Sequence, residues 1–447
     1  MVRKLFGTDG IRGVAGERPL DEATVSAFGC ALGKDVQEHA GPGATVLIGM
    51  DTRESGQWIA ESIAGGLRQH QVSSRFAGVI TTPGVAYLTR SGEFAAGVMV
   101  SASHNPYEDN GIKVFAATGY KLPDDEELEI EHEIFRVLLQ QPVPPEPLEA
   151  DALLAPRYAG YLLSTLPARL DGMHVVIDSG NGSASRLAPE LFRRAGARVT
   201  SIHDQPNGRN INLNCGALHV ASLADRVIAE KADAGVAFDG DADRAIFVSS
   251  SGRVVNGDAV MLILARSLKQ QGRLLGNLVV STVMSNLGLE LALERDGIRM
   301  LRTPVGDKYV LEEMVRVGAS LGGEQSGHII FRDGDATTGD GLLTALRLMD
   351  IIVRAGKPLA DLVGDLKVFP QKIQNIRVRE KIPFAQIPAV QTAIQAAERE
   401  LNGNGRVVVR YSGTEALARV MVEAESEEKM RALAAAIAAE IQKALGV

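Results

Sequence analysis

The sequence predicts an α/β protein: three similar mixed-sheet α/β domains and a smaller C-terminal α+β domain, set around a central cleft. Three observations lead there. At 447 residues the chain is too long for one ordinary core and has room for three or four domains. Apolar runs of strand length alternate with helix-length amphipathic stretches, the pattern of largely parallel sheets covered by helices. A unit of strand, helix, strand, further helix and strand also recurs loosely over about 350 residues.

In chain order, Phe6-Gly7-Thr8-Asp9-Gly10-Ile11-Arg12-Gly13 comes first, its glycines bringing backbone close to a ligand or to another strand. Residues 44–49 read as a strand running into Asp51-Thr52-Arg53, followed by a helix over 55–69 and a strand over 96–100. The second unit has a strand at 174–177, a turn at 178–182, a helix stopped by Gly196 and a strand at 234–238. The third has a strand at 277–280, a helix over 286–295 stopped by Gly297, a helix over 309–317 and a strand at 319–322. Each unit carries one polar loop at the same place: 101–105, 239–244 and 324–328. A short apolar run follows each loop, at 112–115, 245–248 and 329–331. Ligands of parallel sheets sit at the carboxyl ends of strands, so the three loops are expected to face one cleft.

Composition sets the boundaries. The Pro-rich stretch 141–147 separates the first two units, the Ser/Gly turn at 249–252 closes the second, and a helix over 259–270 opens the third. After the amphipathic helix 342–354 and Gly356-Lys357-Pro358 the repeat stops. A strand at 374–378, a helix over 389–401, strands at 406–409 and 418–424 and an Ala-rich helix make the last domain. The expected division is 1–152, 153–252, 253–368 and 369–447.

A net charge of −8 argues against nucleic-acid and anionic-membrane binding, which draw on clustered Lys and Arg. It leaves room for an anionic substrate held by a few local cations. Cys30 and Cys215 fit neither a disulfide framework nor a zinc motif, and the N-terminus has no signal-peptide stretch, so a cytoplasmic location is expected.

The loops carry the chemistry. Pro106 in Ser101-Ala102-Ser103-His104-Asn105-Pro106 prevents either strand or helix from continuing, which leaves Ser103 as an exposed hydroxyl on a rigid turn. Neighbouring side chains of an extended segment point apart, so His104 is not expected to serve as its base, and a serine hydrolase is disfavoured. Asp239, Asp241 and Asp243 alternate after a strand; three carboxylates on one side call for a cation, and all-oxygen donors indicate Mg²⁺ or Ca²⁺. An EF-hand is rejected, because Arg244 and Ser250 stand where that loop needs Gly and Glu. Glu324, Ser326 and His328 alternate among glycines, a carboxylate suited to two sugar hydroxyls at once. Arg410, Ser412, Gly413 and Thr414 offer a donor fork, two hydroxyls and a free backbone amide to a phosphate, without the Lys of a nucleotide loop. Asp340 or Thr338 is expected to cap the helix that follows. Read alone, the stretches 6–13 and 101–106 suit a plain turn better, the Glu324 and Arg410 loops suit one equally well, and the loop 239–243 favours the cation.

Together, and in this order, the five motifs resemble those of the alpha-D-phosphohexomutases over nearly the whole chain. The resemblance implies that Ser103 carries a transferable phosphate, with Arg12 beside it. It implies that Asp239, Asp241, Asp243 and the phosphate on Ser103 bind one Mg²⁺. Glu324 and Ser326 would grip the sugar, Arg244, Arg410, Ser412, Gly413, Thr414 and Arg419 would complete the substrate contacts, and Lys113 and His328 are the acid/base candidates. The Gln form of the third loop, Gln325, resembles the glucosamine-phosphate branch, which implies exchange between the 6- and 1-phosphates, primed by a sugar 1,6-bisphosphate. A sister mutase for glucose or mannose phosphate and a catalytically silent phosphosugar-binding protein are the alternatives. The family's fourth loop has proline where this chain has Tyr411 and Ala416, which puts that loop's rigidity in question. Whether the chain forms a homodimer is not written in these motifs.

Overall fold

The computed structural model describes residues 4–7, 9–334, 336–412 and 416–447. Four sheets follow one another along the chain. The first has six strands, in the order Phe6–Gly7, Gly10–Val14, Asp109–Ala116, Ala96–Val100, Thr45–Met50 and Ser73–Val79. The second has five: Val254–Val255, Ala245–Ser249, Ala234–Phe238, His174–Asp178 and Arg198–Ile202. The third has four, Arg299–Thr303, Leu278–Thr282, Leu321–Gly323 and Ile329–Phe331, and the last is an antiparallel triple of Gln371–Arg377, Leu417–Ala424 and Gly405–Tyr411.

The three larger sheets share one device. Strands Ala96–Val100, Ala234–Phe238 and Leu321–Gly323 each pair in parallel on one side and antiparallel with the next strand in sequence on the other. The polar loop lies at that reversal in each case. The sheets are therefore mixed where alternation alone suggested largely parallel ones. A loop of five to eight residues cannot make a parallel crossover, which needs a dozen or more, so the chain turns straight back.

Helix ends follow the local chemistry. Asp340 caps Gly341–Ala355 by accepting from the Leu343 amide, and Asn286 caps Leu287–Arg295 by accepting from Gly288. Gly318 and Gly356 close their helices in the left-handed conformation.

Packing joins the first three domains more tightly than it joins the fourth. One apolar core runs through all three, from Leu47 and Met99 through Val175 and Phe238 to Val260 and Leu346. The face of the first sheet toward Glu22–Ala40 and Gly56–Gln69 forms a second core around Phe28, Ile48 and Ile63. The C-terminal domain has its own core, around Val420 and Ile437, and meets the third domain through polar contacts. Asn286 holds both the amide and the carbonyl of Phe369, and the buried Glu423 accepts from the Leu287 amide. No helix among the described residues is long and apolar enough to cross a membrane.

Candidate active site

Ser103 sits at the tip of the first loop with φ of +53°, a left-handed conformation uncommon for serine. It is 1% exposed, not the open hydroxyl expected from its loop position, because the second domain packs over it. Gly240 makes that contact: a Cβ there would stand 2.4 Å from the Ser103 carbonyl oxygen. Ser103 Oγ donates to Asp239 Oδ2 at 2.7 Å. His104 Nδ1 lies 3.4 Å from the same hydroxyl, since a left-handed residue does not send its neighbour to the opposite side as an extended one would. Burial, with Arg244 and Arg12 nearby, lowers the His104 pKa to about 4, so the ring is neutral, and its long contact competes poorly with Asp239.

What holds the loop was not legible as function in the sequence. Arg53, fully buried, donates to the carbonyl oxygens of Ser103 (3.0 Å), Asn105 (2.9 Å), Asp109 (2.9 Å) and Pro106, and its Nε pairs with Asp51 at 2.9 Å. Asp51 also accepts the Ser101 hydroxyl at 2.6 Å, and Ser101 accepts the Ser103 amide at 2.9 Å. Asn212, from the second domain, donates to the Ser103 and Asn105 carbonyls at 2.9 and 3.2 Å. The only signal was position: Asp51-Thr52-Arg53 ends a strand of the same sheet on the same side.

The second loop brings one oxygen each of Asp239, Asp241 and Asp243 within 4.8 Å of one another, all three residues buried. A turn with Ala242 at φ +55° makes them converge, not the extended segment assumed from their spacing. Burial, then Asp243 and Asp241, pushes the Asp239 carboxyl well above its usual range. Asp241 goes the other way: burial is outweighed by the Lys113 ammonium at 2.9 Å and the Thr82 hydroxyl at 2.5 Å. Lys113 is 2% exposed and also faces Asp9 at 3.2 Å and Asp243 at 3.6 Å; these carboxylates overcome burial and hold it firmly protonated, a fixed cation that donates hydrogen bonds but gives up its proton reluctantly. Asp241 Oδ1 and Asp243 Oδ1 are buried with no hydrogen-bond partner. Crowded carboxylates with orphaned buried oxygens are a donor set that fits a hard divalent cation such as Mg²⁺.

The third loop is tied to the second. Ala245 donates to the Gly327 carbonyl at 3.1 Å, and Gly341, at the start of its helix, donates to Ala242 at 3.1 Å. A cavity of about 420 Å³ opens between the loops, within the usual range for a small-molecule site, and its walls include Arg12, His104, Asp243, Arg244, Glu324 and His328. Glu324 accepts from the Gly306 amide at 3.2 Å. His328 is 3% exposed, about 4 Å from Asp243 and Asp307, with both ring nitrogens unpartnered. Arg12 donates to Asp9 and to the Ala102 carbonyl at 3.4 Å, which puts it beside the serine loop. Ser326 is exposed and does not line the cavity, and Gln325 turns to Asp258 at 3.0 Å.

The fourth group stands apart from that cavity. Arg410 and Arg419 are directly opposed on neighbouring strands, a like-charge pairing that costs stability unless an anion joins it. Burial and then Arg419 lower the Arg410 pKa. Ser412 Oγ is 3.5 Å from the Arg419 guanidinium, and its carbonyl accepts from Lys381 at 2.7 Å. Gly413 and Thr414 lie outside the described residues. Tyr411 stacks on Phe384 at 4.3 Å and donates to the Ile382 carbonyl, which fixes the end of its own strand.

Known proteins match the chain along nearly its whole length. Residues 3–141, 157–252, 256–369 and 374–440 match, in order, the alpha/beta/alpha domains I, II and III and the C-terminal domain of the phosphoglucomutase/phosphomannomutase family. The phosphoglucosamine mutase of Solibacter usitatus is 61% identical over the whole of both chains. The chain belongs to the phosphoglucosamine mutase family. Koribacter versatilis has another member, 56% identical over all of this chain and 98% of that one. Solved family structures share the fold at low identity. A phosphoglucomutase/phosphomannomutase family protein of Burkholderia thailandensis superposes with a TM-score of 0.81 at 23% identity, covering 99% of both chains. An Aspergillus fumigatus N-acetylphosphoglucosamine mutase, solved with GlcNAc-6P and magnesium, gives 0.63 at 18% identity, covering 99% of this chain and 96% of that one. The family's activity is that of an isomerase that moves a phosphoryl group within a phosphosugar.

Proposed function

We propose that this enzyme interconverts glucosamine 6-phosphate and glucosamine 1-phosphate, with Ser103 as the phosphoryl carrier. The observation that carries the proposal is the 2.7 Å bond from Ser103 Oγ to the metal-type cluster at Asp239, under a cleft of sugar size. A phosphate on Ser103 beside three carboxylates would be untenable without a cation. Asp239, Asp241 and Asp243 would hold Mg²⁺, which offsets phosphoryl charge during transfer.

Within that frame the residues divide the work. The Arg53 and Asn212 clamps fix the serine turn, so that the Oγ–P bond can face the cleft. The free hydroxyl of the substrate takes the phosphoryl group as the bond to Ser103 Oγ breaks. Lys113 and His328 are the candidates to handle the proton, and Lys113, held firmly protonated, would act chiefly through its charge and hydrogen bonds. The sugar 1,6-bisphosphate so formed turns end for end, and Ser103 Oγ accepts the other phosphoryl group. Glu324 holds ring hydroxyls, Arg244 and Arg12 face the reacting phosphate, and Arg410, Ser412 and Arg419, with Gly413 and Thr414, hold the distant one. The domain division at 1–152, 153–252, 253–368 and 369–447 assigns one loop to each domain. A cytoplasmic site of action is part of the same proposal, supported by two cysteines that are both free thiols.

Arg410→Ala is expected to raise KM roughly 10- to 150-fold with kcat little changed, the equivalent of about 1.5–3 kcal/mol for a charged hydrogen bond made in ground and transition states alike. Steady-state kinetics decides it; a loss confined to kcat would move Arg410 to the reacting centre.

Selectivity for the amino sugar follows from charge. Of the carboxylates that line the cleft, Asp9 and Asp307 are paired with Lys121 and Asp243 belongs to the cation cluster, which leaves Glu324 to favour an ammonium at carbon two over a hydroxyl. A difference of about 1–3 kcal/mol, roughly 5- to 150-fold in kcat/KM, is expected over glucose and mannose 6-phosphates. A coupled assay of the three sugar phosphates tests the substrate, and preference for a neutral sugar would overturn it while leaving the Ser103 mechanism standing.

A further inference from the structure

Three donor side chains with no part in the cleft converge at the carboxyl end of the second sheet. Asp178 ends the strand His174–Asp178, His203 follows Arg198–Ile202, and Cys215 immediately precedes the short turn Gly216–Leu218. A carboxylate oxygen, an imidazole nitrogen and the sulfur lie within 4.8 Å of one another. Asp178 and Cys215 are buried, while the His203 side chain is 32% exposed and leaves a way in from solvent. His203 Nδ1 is 3.0 Å from Asp178 Oδ2. Behind them, Asp178 accepts the Gly180 amide at 2.9 Å and the Gly216 amide at 3.1 Å, the outer support that orients a ligating carboxylate.

We propose that Asp178, His203 and Cys215 form a second divalent-cation site, for a borderline-soft ion of the Zn²⁺ class. An ion pair explains Asp178 and His203. It does not explain a thiol turned into the same space, where Sγ accepts only a long contact of 3.8 Å from the Asn181 side-chain amide. A set of one sulfur, one nitrogen and one oxygen is a zinc-type donor set and a poor one for Mg²⁺, and three protein donors leave a fourth tetrahedral position to water. Binding exchanges the Cys215 thiol proton, released to solvent, for a metal–sulfur bond and parts His203 from Asp178; no electron is transferred. The site also has leverage on the chemistry. Three residues before Cys215, Asn212 holds the Ser103 and Asn105 carbonyls, and Asn181, 3.8 Å from Cys215 Sγ, accepts the Thr52 hydroxyl through its carbonyl at 2.6 Å. An ion here anchors the segment that clamps the serine loop.

Co²⁺ titrated into the full chain in excess Mg²⁺ provides the test, because Mg²⁺ saturates the aspartate site and a thiolate-to-cobalt charge-transfer band requires sulfur. The band is expected to saturate at one ion per chain, to vanish in Cys215→Ser, and to need roughly tenfold more Co²⁺ in His203→Gln. No band in the folded parent protein, or a band that survives Cys215→Ser, overturns the site. Should Cys215→Ser fail to fold, His203→Gln decides alone: an unchanged titration refutes it.

Discussion

Ser103→Ala is expected to abolish mutase turnover, a loss on the order of 10⁵- to 10⁶-fold as for other removed covalent nucleophiles, while the fold persists. Alanine meets the same left-handed backbone cost as serine at φ +53°, so the exchange adds little strain. What it removes is the hydrogen bond to Asp239, leaving a buried oxygen without its donor at about 1–3 kcal/mol. A small drop in Tm with complete loss of turnover is the expected pair of results. Residual activity above a few per cent would mean that phosphate reaches the product without Ser103.

The second large effect belongs to the aspartates. Asp241→Asn removes the charge that faces Lys113 and is expected to weaken Mg²⁺ binding on the order of 10²-fold, with turnover recovered only in part at high Mg²⁺. Chelation of the parent protein is expected to stop the reaction, and re-addition of Mg²⁺ to restore it. Stability should fall by far less than activity: Asp239 and Asp243 lose a like charge, but Lys113, which holds the Asp241 carboxyl below its usual range, loses its counter-charge at 2.9 Å. Titration calorimetry with Mg²⁺ and activity against free Mg²⁺ measure both. Full activity in excess chelator would remove the metal from the mechanism.

Much of this molecule could be read before its fold was known, and the reasons are physical. The repeated alternation of apolar strand runs with helix stops at Gly196, Gly297 and Gly356 exposed the three-fold repeat, and the repeat placed the loops. The strand Arg299–Thr303 escaped, because its two arginines and partly buried face give no clear alternation. The helix Glu22–Ala40 escaped too: it is buried on most sides, so its apolar residues do not form one stripe.

The residue types of the site were legible while its support was not. Ser103, the three aspartates, Glu324 and Arg410 announce themselves by clustering in short polar loops. Arg53 and Asn212 act through backbone carbonyls of a loop about fifty and one hundred residues away in sequence, contacts that no local pattern encodes. The burial of Ser103 is likewise a product of domain packing, set by Gly240 in another domain.

The central claim is that phosphate resides on Ser103 in the working enzyme. Intact-mass spectrometry of active protein before and after phosphatase, followed by peptide mapping, tests it most directly. One phosphate per chain is expected, mapped to Ser103, with activity lost as it is removed and regained on incubation with glucose 1,6-bisphosphate. Phosphate on His104, or full activity from protein bearing none, would contradict it.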